Sequence, residues 1–198
     1  SERQEWYRRF LNSRCPPFTR SIPSNIVSEG YAIIVTNVSL AILEEGSTYH
    51  LNMFLYDGVK NHFFGNDLQS VISECKHKEL IFNEEIFFHA PVISGVHFVI
   101  EIVGESRDGE LNTIAWTVLA LGESSVSLPY FGQHGNAPTS RLKLYPGSPK
   151  FLLISNTLTN FEGLNGSAEI MFLSHPNLSR VSDFFPEYFL VGLDDIIP

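Results

Sequence analysis

The side chains able to do chemistry are numerous in this chain but scattered. Seven histidines stand at positions 50, 62, 77, 89, 97, 134 and 175. No two have the HExxH spacing that sets a zinc-binding pair and a general base on one helix face. A GxSxG nucleophile elbow and a GxxxxGK[S/T] phosphate loop are likewise missing from the sequence. Cys75 lies two residues from His77, close enough to meet along a strand. A thiolate nucleophile needs a base that a third group orients, and no such group is evident. The pair reads as a half-buried thiol beside a surface imidazole. Cys15 and Cys75 show no metal spacing such as CxxC, so a reduced intracellular chain is the simplest reading. Neither catalysis nor a cofactor is expected.

Recognition chemistry is better represented. Lys76 and Lys78 flank His77 but are bordered by Glu74 and Glu79. Arg141 and Lys143 alternate on one expected strand and so point to the same side. A lipid head-group site would call for about four clustered cations, and these are pairs. Phe63-Phe64-Gly65 follows the polar Asn61 and His62 in an expected loop. An aromatic pair there is either an exposed anchor for a partner, as interface hot spots often are, or a plug for the end of a core. Phe63, Phe64, Arg141 and Lys143 are therefore the candidate partner-binding residues.

Bulk properties narrow the classes further. The net charge of −9 opposes a broad nucleic-acid surface, which needs clustered Lys and Arg. It also disfavours nonspecific adhesion to anionic membranes. With 43% hydrophobic residues and 16 Phe, 198 residues can build one core without metal or disulfide. No run of about 18 apolar residues exists to span a membrane. The chain begins at Ser1 and ends on an apolar stretch, as expected of a piece of something longer.

The elements that would position these residues are strands. Residues 3–14 suggest a short amphipathic helix, with Trp6, Tyr7, Phe10 and Leu11 on one face, stopped by Pro16-Pro17. Residues 1–20 are read as a helical flap packed on the main domain, rather than as a lipid-surface or partner helix. From residue 31 the pattern turns to period two, with Ile34, Val38, Leu40 and Ile42 facing one way. Further strands are expected at 49–55, 79–88, 96–103, 111–121, 141–145, 150–155 and 168–173, about eight in all. Ile114, Trp116 and Val118 share one face of the fifth. Residues 57–78 and 122–140 read as loops, the former with a short element near 68–72. No periodic helix joins the strands, which favours an antiparallel sandwich over 21–182. The apolar tail, 183–198, either packs on that sandwich or leads to a next domain.

FNEEIFFH, Phe82 to His89, is similar to a segment common in C2 domains. VHFVIEIVGESRDGELNTIAWTVLAL, from Val96, resembles a C2 strand, loop and strand. The expected fold is thus an all-β, antiparallel, eight-stranded, C2-like sandwich. More extensively, DGVKNHFFG, IFNEEIFFH, RDGELNT, SRLKLYPGSPKFLL, the WYRRF start and the PEYFLVGLDDIIP end resemble the N-terminal region of the nephrocystin-4 family. That resemblance implies a non-catalytic scaffold of the ciliary transition zone and basal body, associated with cytoplasm and cytoskeleton, that contributes to cilium organisation and gating. It implies nephrocystin-1 and the retinitis pigmentosa GTPase regulator-interacting proteins as partners.

The C2 resemblance raises a calcium question. Calcium takes about six to eight oxygen ligands, and the family typically supplies Asp-x-Asp directly after the apolar strand. Here Val103 is followed by Gly104-Glu105-Ser106, and Asp108-Gly109 reads as a turn. The earlier loop offers only Asp57. No metal and no cofactor are expected, and calcium-independent docking on anionic lipid is the alternative to a protein partner.

Overall fold

A computed structural model of the chain describes residues 25–123, 127–133, 135, 137, 139–153 and 162–193. The expected helix at 3–14, Cys15 and His134 lie outside them. Ten strands form among the described residues: β1 Glu29–Leu40, β2 Thr48–Asp57, β3 His62–Gln69, β4 Ser73–Glu74, β5 Glu79–Ala90, β6 Val96–Glu105, β7 Leu111–Ala120, β8 Ser140–Lys143, β9 Gly166–Ser174 and β10 Val191–Gly192. They make two antiparallel sheets. Sheet 1 has the order β10-β5-β1-β9-β8; sheet 2 has β3-β2-β6-β7, with β4 also on β2.

The core lies between the sheets. Ile33, Val35, Val38 and Leu40 of β1 face Leu51, Met53 and Leu55 of β2 and Phe98, Ile100 and Ile102 of β6 within one apolar cluster. The inward set on β1 changes from odd to even numbers because the ladder slips between Val35 and Asn37, on both neighbouring strands. A bulge of this kind reverses the facing of everything beyond it. Ile34, expected beside Val38, therefore belongs to the opposite face, and Ile42 is exposed. A second slip, between Ile102 and Val103, separates Ile114 from Trp116 in the same way. Ile114 packs on the central core, while Trp116 and Val118 turn outward.

Three expectations are corrected. Residues 57–78 are not mainly loop, since they hold β3 and β4. The strand expected at Lys150–Ser155 is instead a 3-10 helix over Pro149–Leu153. Its apolar run serves to cover the outer face of sheet 2, where Leu152 and Phe151 meet Tyr56, Val99 and Trp116. The strand number becomes ten, because β3, β4 and β10 join the list.

The outer face of sheet 1 is covered by the 3-10 helices Pro176–Arg180 and Ser182–Phe184 and by the segment after them. Leu178, Phe185, Phe189 and Val191 bury Ala32, Ile34, Phe87 and Leu173. This segment also ties the two sheets together. Val191 pairs with Phe87 on β5, while the Asn66 amide of β3 exchanges two hydrogen bonds with the Leu190 backbone, at 2.8 and 2.7 Å. The approach demands glycine at 65. Its φ is +71°, and a Cβ there would lie 2.4 Å from the Tyr188 carbonyl oxygen.

Candidate interaction surfaces

The two loops in which the sequence lacks a calcium ligand set hold turns closed by their own polar groups. Asp57 is buried, and its Oδ1 accepts the backbone N–H groups of Val59 and Lys60 at 2.9 and 3.2 Å. It closes the β2–β3 turn in the manner usual for aspartate. Ser106 and Glu110 close the β6–β7 turn, with the Ser106 N–H on the Glu110 carbonyl at 2.8 Å and Gly109 at φ +77°. These two turns do not face a common site. Asp57 pairs with Val96 and Tyr49 with Gly104, so the loops sit at opposite ends of the sheet. Eight rises of ~3.4 Å separate them, roughly 27 Å. No group of three or more His, Cys, Asp or Glu among the described residues is placed to hold a metal.

The loop end around Glu105 is acidic. The turns 41–47, 74–79 and 105–110 converge there, carrying Glu44, Glu45, Glu74, Glu79, Glu105, Asp108 and Glu110 against Lys76, Lys78 and Arg107. Glu45 is occupied structurally. Its carboxylate accepts the backbone N–H groups of Lys78 and His77, at 2.8 and 2.9 Å, and both residues adopt left-handed backbone. Those two hydrogen bonds, the one from Lys78 foremost, hold its carboxyl below the ordinary carboxylate range. The Lys78 ammonium donates to the Leu43 carbonyl. Cys75 is buried beside this turn, and burial pushes its thiol upward, away from the reactive thiolate.

Arg141 and Lys143 lie on β8, an edge of sheet 1, and both are exposed. The ladder aligns Ile81, Asn37, Glu169 and Arg141 in one row and Glu79, Ser39, Ser167 and Lys143 in the next. Arg141 pairs with Glu169 at 3.1 Å, with its side chain 73% exposed. The rows intersperse both charge signs with hydroxyls and an amide, so they make a mixed polar face and not a basic one.

Phe63 and Phe64 are adjacent on β3 and so part across the sheet. Phe64 is buried against Tyr188, ring centroids 5.3 Å apart, and cannot serve as an exposed anchor. Phe63 points outward to Phe54 and Tyr56, at 5.5 and 5.1 Å. Among the described residues, a groove of about 350 Å³ lies between β3 and the 3-10 helix at Pro149. Phe54, Phe63 and Pro149 form its apolar surface, Gly65 and Asn66 its backbone wall, and Asp67, Glu101 and Lys150 its charged rim. Sequence reasoning passed over Phe54 and Glu101. A signal existed: Tyr49, Leu51, Met53 and Leu55 supply the core, so Phe54 and Tyr56 are aromatics on what should be the polar face. Tyr56 is explained by the cover, since its hydroxyl donates to the Leu152 carbonyl at 2.8 Å. Phe54 remains half-exposed in the groove.

No protein-family model and no curated protein matches the chain. Solved structures do. Human GIVD cytosolic phospholipase A2 is similar at 12% identity and a TM-score of 0.50, over 78% of this chain and 17% of that one. A C2 domain of plant extended synaptotagmin 1 is similar at 16% identity and 0.49, over 75% and 95%. PLC21 of S. officinalis is similar at 12% identity and 0.49, over 85% and 19%. Identities this low speak to fold alone. The fold, two antiparallel sheets packed face to face, is a C2-like β-sandwich.

Proposed function

We propose that this C2-like sandwich is a non-catalytic protein-interaction domain that works without calcium. The observation that carries the reading is the groove at Phe54 and Phe63, which the described residues leave open beside the cover formed by Tyr145, Phe151 and Leu152. Support comes from Asp57 and Ser106, whose side chains close turns at opposite ends of sheet 2, apart from each other. The acidic loop end and the paired Arg141 weigh against docking on anionic lipid, which would need gathered cations. The resemblance of DGVKNHFFG, RDGELNT and SRLKLYPGSPKFLL to the nephrocystin-4 family supplies the finer reading: a scaffold of the ciliary transition zone and basal body. On that reading its partners are nephrocystin-1 and the retinitis pigmentosa GTPase regulator-interacting proteins.

The test is direct binding of the full chain to each purified partner, with calcium and with chelator. Liposomes containing phosphatidylserine and phosphoinositides at low salt serve as the parallel arm. Partner binding that is indifferent to chelator is expected. Liposome binding with no partner binding would replace this reading with membrane docking.

A further inference from the structure

The groove beside β3 combines two features that select one kind of occupant. Its floor holds the half-exposed rings of Phe54 and Phe63. Its rim holds the Glu101 carboxylate, with Asp67 and the Lys150 ammonium among the other described lining residues. The Asn52 side-chain amide donates to Glu101 Oε1 at 3.2 Å and so orients that carboxylate. A carboxylate has about four acceptor sites, so this bond leaves it able to take more donors.

We propose that the groove seats a basic side chain, arginine or lysine, borne on an extended segment of a partner protein. The proposal rests on the interaction reading above and gives it a ligand chemistry. The aliphatic stem of such a side chain covers apolar surface while its charged head stays among polar groups. A cation within about 6 Å of an aromatic face is attracted by the ring quadrupole, arginine more often than lysine. A purely apolar segment would strip water from the Glu101 carboxylate without replacing it. The chain's charge of −9 adds long-range attraction for a basic partner. At about 350 Å³ the volume lies near the lower end of ligand sites, enough for one long side chain and its flanks.

The test titrates the full chain with a capped pentapeptide carrying arginine between two valines, and with the same peptide carrying neutral citrulline. NMR follows the amides of Phe54, Phe63, Gly65 and Glu101. The arginine peptide should shift these amides with an affinity roughly threefold to tenfold above that of the citrulline peptide. Glu101→Gln should narrow that gap. Phe54→Leu, which keeps the apolar bulk, should weaken the arginine peptide more than the citrulline one. Equal affinities, shifts confined to other faces, or no shift would overturn the proposal. So would shifts at these amides that grow with protein concentration before peptide is added, since a second copy would then be the occupant. Partner binding unaffected by both substitutions would remove the groove from the interaction while leaving the interaction intact. Selective peptide binding with no partner binding would uphold the groove and fail only the named partners.

Discussion

The two outer faces of this sandwich begin alike and end differently. Each sheet turns apolar side chains away from the central core: Ala32, Ile34, Phe87 and Leu173 on sheet 1, and Tyr56, Val99 and Trp116 on sheet 2. On sheet 1 the segment through Phe185, Phe189 and Val191 covers them, and β10 and Asn66 fasten it at the edges. On sheet 2 the segment from Tyr145 to Leu152 crosses over Trp116 and Tyr56 but stops short of Phe54 and Phe63. Outward apolar residues are thus no mark of a binding site by themselves. The mark is the part that the cover formed by the described residues leaves open.

The largest effect should come from opening the closed face. Phe185 is almost fully buried, so Phe185→Ala should cost about 3–5 kcal/mol in urea unfolding. Amide exchange along β5 should rise with it. A loss near 1 kcal/mol would mean that the cover is superficial. Next comes the fastening. Gly65→Ala forces a side chain into left-handed backbone and against the Tyr188 carbonyl, and should cost at least about 1–2 kcal/mol. Tyr56→Phe tests the cover on sheet 2. It removes the hydroxyl that holds the Leu152 carbonyl, and should cost about 1 kcal/mol. Greater exchange at 149–153, with sheet 1 unchanged, should accompany it.

The smallest effect is one of pH. His89 lies under the sheet 1 cover, with Nε2 2.7 Å from the Phe185 carbonyl and Nδ1 2.8 Å from Ser28 Oγ. Burial lowers its pKa; the bond to Phe185 and the charges of Glu187 and Asp183 oppose that without reversing it. The unfolded chain takes up a proton near pH 6.5, and the folded chain resists doing so until the pH is lower. The stability linked to His89 is therefore complete above about pH 6.5 and is lost as pH falls through the depressed folded value. Melting temperatures across that window should fall more for the wild type than for His89→Gln. An equal slope would assign the pH dependence to other groups.

Much of this architecture was legible in the sequence. The strands expected at 49–55 and 96–103 are β2 and β6, where Leu51, Met53, Leu55, Phe98, Ile100 and Ile102 alternate into the core because no bulge interrupts the pairing of those two strands. Reading failed where the pairing slips. Ile34 and Ile114 were placed on the wrong faces by bulges that a period-two count cannot register. β3 was hidden for the same reason, since Gly65-Asn66-Asp67 looks like a turn yet forms an irregularity inside a strand. Lys150–Leu153 misled because a short apolar run serves a strand or a helical turn equally well. The groove was half visible: Phe63 was singled out by type, but Phe54, Glu101 and Pro149 join it only through folding.

The most direct test of the contrast is hydrogen exchange on the full chain, alone and in the presence of excess nephrocystin-1, the partner proposed above. New protection is expected at 52–55, 63–67, 99–101 and 149–150, with residues 30–34 and 171–174 unchanged. Protection appearing instead beneath the sheet 1 cover, or in the turns at 41–47 and 105–110, would contradict the assignment of the open face as the site of recognition.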